Sequence, residues 1–233
     1  MKADTYKIFI IFFSVFLFSY GAANAQQVGL SFSYFLPKNG DFSVPVTPLS
    51  YRGLGFNINK FIRPETGITL YRMSGLAATG LPFDSKNAIF GPMFSIMVPV
   101  DIVLEVPVGN AEFRLKGGVF GFYNFGVKLN EGNFDRALRD YLDFQVLNAD
   151  MQFDNQPGYG YRGGAEIILN FSKKFALTME GMYHVGGAKY ALQGDYSGVH
   201  AGSSTIQSGS VSYPDTRIDF TGMEISLGVL FTP

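Results

Sequence analysis

Runs of about ten residues with apolar side chains at every second position recur along this chain, and the segments between the runs are alternately short and long. Period two is the mark of a strand that presents one apolar and one polar face. In the first run Val28, Leu30, Phe32, Tyr34 and Leu36 share a face, with Gly29, Ser31 and Ser33 on the other. A weaker second run sets Leu54, Phe56 and Ile58 against Gly53, Gly55, Asn57 and Asn59. A third spans 67–73, with Ile68 and Leu70 on one face and Arg72 at an ambiguous outer end. The fourth is sharp: Ile96, Val98, Val100, Ile102, Leu104 and Val106 oppose Ser95, Pro99, Asp101 and Glu105. The remaining four cover 112–123, 161–171, 175–185 and 222–231 in the same manner. Eight runs make an even number, as a single-chain bacterial barrel requires.

The connections carry a topology. Segments 60–65, 107–110 and 172–174 are short, whereas 37–50, 74–92, 125–160 and 186–216 are long. Short turns on one rim and long loops on the other are the pattern of an up-and-down barrel in an outer membrane. No apolar run of about 20 residues follows the N-terminus, so helical spans are not available.

Residues 1–25 read as an export signal that is cleaved. Lys2 and Lys7 form a basic start, 8–20 is almost wholly apolar, and Ala23-Asn24-Ala25 supplies a small-x-small cleavage site before Gln26. The domain proper is then expected over 26–233. A net charge of −1 argues against nucleic acid, which would call for a clustered basic surface. The absence of cysteine excludes disulfides, thiolate metal sites and a cysteine nucleophile.

Alternation alone does not say which face is outside, and a lipocalin-like soluble barrel binding an apolar ligand would reverse it. Lipid outside is favoured by the polar face, which is rich in Gly and Ser with charges of both signs. Arg114, Lys116 and Arg162 are expected to pair there with Asp101, Glu105, Glu112, Glu166, Glu180 and Glu224, because a lone buried charge is costly. Aromatic residues near the strand ends fit interfacial girdles: Tyr34, Tyr51, Tyr71, Phe94, Tyr123, Tyr161 and Tyr183 outside, Phe61, Phe171, Phe175 and Phe231 inside.

A signal segment, eight period-two strands, the long–short loop order and a last strand with near-terminal Phe231 resemble the small outer-membrane β-barrels. These include the OmpA-type membrane domain, OmpX-type proteins and the porin-like barrels of Bacteroidetes-type bacteria. The resemblance covers essentially all of 27–231. It implies contact with outer-membrane lipid and lipopolysaccharide, and recognition of Phe231 in the last strand by the barrel-assembly machinery. The chain departs from the pattern in ending Phe231-Thr232-Pro233 and in lacking Trp.

Candidate chemistry is sparse. His184 stands on the face shared with Glu180 and is the centre of a second reading, an outer-membrane lipid-modifying enzyme; no serine is placed beside it, so a hydrogen-bonded rim histidine is the simpler expectation. His200 lies in a Gly/Ser-rich loop. Within 125–160, Asn133 can cap a short helix whose Phe134, Leu138 and Tyr141 form one stripe. Asn148, Asp150, Asp154 and Asn155 are oxygen donors without the order of a calcium loop. The sequence therefore predicts an all-β, eight-stranded antiparallel up-and-down transmembrane β-barrel. It predicts a non-enzymatic structural or surface-recognition role, with a narrow polar channel as an option. No catalytic, cofactor-binding or metal residue is assigned, and no cofactor is expected.

Overall fold

The computed structural model describes residues 28–44, 50–85 and 87–231. The expected signal segment and its cleavage site lie outside these residues. Strands β1 (Val28–Pro37), β2 (Gly40–Val44), β3 (Ser50–Gly55), β4 (Ile62–Leu76), β5 (Ala78–Thr79), β6 (Met93–Val108) and β7 (Ala111–Phe125) precede a single described helix, α1 (Glu131–Leu142). Strands β8 (Val146–Asn155), β9 (Gly158–Asn170), β10 (Phe175–Val199), β11 (Gln207–Tyr213), β12 (Arg217–Asp219) and β13 (Gly222–Phe231) follow.

Hydrogen-bonded pairing runs β13-β1-β3-β4-β6-β7-β9-β10, and β10 pairs in turn with β13, so eight antiparallel strands close on themselves. Closure leaves no free edge within the ring, which is how a sheet satisfies every backbone group inside hydrocarbon. The ring strands suit a span: β1 and β13 have 10 residues and β7 has 15, against the roughly 9–11 that a tilted strand needs. The lower rim has tight turns. Val108 pairs with Ala111 across Gly109-Asn110, and Gly109 adopts φ 62°, a conformation that costs a residue without Cβ little.

The faces are sorted as the alternation predicts. Leu30, Phe32, Ile102, Leu115, Met179, Ile225 and Leu227 point outward and are exposed, whereas Ser31, Ser33, Asp101, Arg114, Lys116, Arg162, Glu166, Glu180 and Glu224 point inward and are buried. A soluble lipocalin-like barrel has the opposite arrangement, so that alternative does not describe this fold.

Several expectations need correction. The second strand is Ser50–Gly55, not 53–59. Gly53 at φ 82° breaks its alternation and shifts the register against β4 between Tyr51 and Leu54. Phe56 and Ile58 consequently lie exposed in the turn, where the Asn59 carboxamide oxygen accepts the N–H groups of Phe61 and Ile62. The third strand is longer than 67–73, reaching from Ile62 to Leu76, and it carries Arg63 and Glu65 inward from what reads as a connection. Arg72 faces outward near the upper rim. Tyr71 is not part of a girdle: its ring is 2 % exposed and lies inside the barrel. The last long connection is not a loose Gly/Ser loop either, because β10 runs for 25 residues and carries the sheet well beyond the ring.

Above the ring, β10 continues into a three-stranded sheet with β8 and β11. Strands β12 and β5 pair alongside it, and β2 pairs with the upper end of β4. Helix α1 packs against β8. It is capped by Asn130, whose side chain accepts the Asn133 N–H, so Asn133 is the third helical residue instead of the cap. Phe134 and Leu138 are buried, whereas Tyr141 is half exposed, its ring tilted against Phe83 with centroids 5.4 Å apart.

Candidate functional site

The barrel interior has two storeys of different chemistry. The lower one is ionic. Residues pointing inward at every second position from seven ring strands bring Arg52, Arg63, Arg114, Lys116 and Arg162 together with Glu65, Asp101, Glu105, Glu112, Glu166, Glu180 and Glu224. Lys116 Nζ lies 2.7 Å from Glu180, 2.8 Å from Glu166 and 3.1 Å from Glu65. Arg52 bridges Glu180 and Glu224 and donates to the Ser33 and Ser226 hydroxyls at 2.8 Å each. Arg162 clasps Asp101 through two nitrogens, and Arg114 joins Glu105 at 3.0 Å and Glu112. All nine charges named from the sequence belong to this lattice. Arg52, Arg63 and Glu65 also belong to it but were not anticipated, because the register of β3 and β4 around Gly53 is invisible in the alternation.

Such a lattice is held by mutual satisfaction. Each charge taken from water incurs a desolvation cost, which is offset only when several partners meet it with good geometry. The cavity among Arg52, Lys116, Arg162 and Glu180 has a volume of about 10 Å³, room for about one water.

The upper storey is aromatic. Strands β12 and β13 follow one line broken at Phe220 and Thr221, where the Phe220 N–H bonds to the Gly186 carbonyl at 2.9 Å and its ring turns inward. That ring lies 4.5 Å from Phe122, 4.7 Å from Phe35, 5.9 Å from Phe120 and 6.1 Å from Tyr71 between centroids. Met73, Met93, Met97, Phe90 and Tyr190 extend the apolar cluster upward until it merges with Phe134, Leu138, Leu147 and Leu192 under the tip. A uniformly polar lumen was expected; the structure places apolar side chains across its upper half, since Phe35, Phe120 and Phe122 share the inward parity with the charges below.

His184 stands at the junction. Its Nε2 is 2.9 Å from Glu224 Oε2, and its ring meets Phe35 at 5.6 Å and Phe120 at 5.3 Å edge-on. It is 0 % exposed, and among the described residues no partner bonds its Nδ1 and no hydroxyl bonds its ring. Glu180, on the same face, is engaged with Arg52 and Lys116 instead. The imidazole is thus enclosed between a buried carboxylate and two aromatic rings.

The tip presents the most accessible polar groups. One face of its sheet turns Leu147, Ala149, Tyr190 and Leu192 into the core. The opposite face carries Asn148, Asp150, Gln152 and Asp154 from β8, Gln193, Asp195 and Ser197 from β10, and Ser208, Ser210 and Ser212 from β11. Asp150 is directly opposite Asp195, and Asp195 accepts the Ser210 hydroxyl at 2.7 Å. The oxygen donors noted in the sequence are thus spread along a strand, and Asn155 leaves them to donate to the Asn124 carbonyl inside. His200 is held in place: its Nδ1 donates to the Asp143 carbonyl at 2.8 Å while its ring stacks on Phe144 at 4.0 Å, holding the end of α1 where Asp143 turns left-handed at φ 57°. On the same side, burial pushes the Asp135 carboxyl above the usual carboxylate range although it accepts the Ala149 N–H at 3.0 Å.

No protein-family profile matches this chain, and no curated protein sequence matches it. Among solved structures it is similar to the outer membrane protein OprG from Pseudomonas aeruginosa, at a TM-score of 0.50 and 10 % identity, over 90 % of this chain and 95 % of that one. A major outer membrane protein from Thermus thermophilus gives a TM-score of 0.44 at 10 % identity, covering 90 % and 99 %. Ail, the attachment invasion locus protein of Yersinia pestis, gives 0.37 at 9 %, covering 90 % and 97 %. At these identities the likeness is one of fold. From the likeness to OprG and the closed ring together, the architecture is that of a small outer-membrane β-barrel with eight strands.

Proposed function

We propose that this chain is an integral outer-membrane protein whose barrel is a sealed, non-conducting mount for an outward-facing recognition tip. The observation that carries the reading is the inside-out ring, apolar toward its surroundings and ion-paired within. Exposing Leu115, Leu227 and their neighbours to water would cost about 25 cal/mol per Å² of apolar surface, a cost that hydrocarbon removes. The two storeys fill the lumen with side chains, with a cavity of about 10 Å³ in the ionic one, which favours a barrel closed to solutes. They favour a non-enzymatic role, since the carboxylates and cations of the lumen pair with one another. Export through a cleaved signal segment at 1–25 and folding through recognition of Phe231 by the assembly machinery belong to the same proposal.

The test combines membrane fractionation with gel migration in mild detergent, heated and unheated. A membrane-bound protein whose unheated form migrates apart from the boiled chain supports the reading. A soluble protein with no shift refutes it. In planar bilayers the folded chain is expected to give no stepwise conductance, and steady ohmic steps would refute the seal while leaving the membrane reading intact.

A further inference from the structure

We infer that the outer sheet of the tip docks an extended peptide bearing lysine or arginine side chains, laid along the serine row of β11. This deepens the proposed recognition role and rests on that reading. The face holds Asp150, Asp154 and Asp195, and among the described residues no Lys or Arg pairs with any of them. Asp150 and Asp195 are directly opposite each other on adjacent antiparallel strands. Like charges at that spacing repel and destabilise the pair they belong to. The lattice below shows how this chain treats carboxylates it keeps for structure: each is met by a cation. On the tip they are left open.

Shape agrees with charge. Ser208, Ser210 and Ser212 form a row of short side chains along β11, and an open trough of about 470 Å³ runs from Ser210 and Ser212 across Gln193 and Asp195 to Asp150 and Gln152. A peptide over this row would lie one strand spacing, about 5 Å, from Asp195 and about twice that from Asp150. The flexible stem of Lys or Arg covers those distances. Among the described residues the face between Asn148 and Asp154 carries no aromatic ring on which a sugar could stack, and its cations, Lys189 and Arg217, stand opposite each other at the end remote from Asp150 and Asp195.

The experiment uses the full chain folded in a zwitterionic detergent and fluorescein-labelled hexalysine, followed by anisotropy at low ionic strength. Hexaserine and hexaglutamate serve as comparators. Binding of hexalysine that exceeds both, weakens with salt, and falls at least about tenfold in the Asp150→Asn/Asp195→Asn double variant supports the docking site. Asp140→Asn, on the exposed side of α1, should leave it unchanged. Hexalysine binding no better than hexaserine by the unmodified chain overturns the inference, whatever the variants do. Equal affinity in the double variant overturns it as well. So does tight one-to-one binding of calcium alone that excludes the peptide and is lost in the double variant, since the occupant would then be a metal ion. Heat-dependent migration of the same sample reports separately on the barrel.

Discussion

Truncating Phe220 to alanine removes the keystone of the aromatic storey. The ring is fully buried and sits within 6.1 Å of four other aromatic centroids, Phe35, Phe122, Phe120 and Tyr71. A buried Phe hides on the order of 200 Å², which at about 25 cal/mol per Å² corresponds to about 5 kcal/mol against the unfolded chain. Alanine keeps a small part of that, and the hole it leaves is lined by rigid rings on closed strands that relax poorly. Phe220→Ala should therefore cost about 3–5 kcal/mol, near the upper end for a large-to-small change. Unfolding by urea in detergent, followed by tyrosine fluorescence, reads the loss as a lower midpoint with an unchanged slope. The ionic storey lies beneath the cavity, so the variant should remain closed to ions. A loss below about 1 kcal/mol would show that the ring is dispensable packing, and the idea of a built-in plug would fall.

Arg114→Met should destabilise the barrel by about 3–5 kcal/mol, because it strands Glu112 and leaves Glu105 to Arg63 and Glu166 to Lys116 alone; an unchanged midpoint would mean that the guanidinium is solvated. Asp143→Gly should be neutral or stabilising by up to about 1 kcal/mol, since φ 57° favours glycine; marked destabilisation would imply that the aspartate side chain is needed there. Asp135 gives a pH signature. Its folded pKa lies above its unfolded one, so its contribution to stability is present below the unfolded value and is lost as pH rises through the folded value. Asp135→Asn keeps an oxygen for the Ala149 N–H and drops the charge, so it should match the wild type in acid and equal or exceed it at neutral pH; a variant weaker at neutral pH would refute the sign.

The ring was legible in the sequence because lipid imposes strict alternation on every residue that faces it. Leu30 through Tyr34 and Ile96 through Val106 read as two-faced strands, and the loop order then separated the two rims. Half of the interior was legible for the same reason: a charge on the polar parity of a spanning strand must enter the lumen. What the pattern could not show were the places where parity slips. Gly53 shifts β3, so Arg52 escaped notice, and Arg63 and Glu65 looked like part of a turn. Phe35, Phe120 and Phe220 are aromatic residues on the polar face or between strands, and apolarity alone cannot tell a lipid-facing ring from a lumenal one. The tip was hidden by composition. Stretches such as 203–213, rich in Ser, look unstructured until a partner strand as long as β10 is there to receive them.

Strand β10 crosses from wall to tip without a break, bonded to β9 and β13 below and to β8 and β11 above. A pull on the tip along this strand would load many parallel ladder bonds in shear at once, instead of opening them one after another as a peel would. An object tethered there would thus be anchored directly to the barrel wall, with no hinge along that strand to absorb the load.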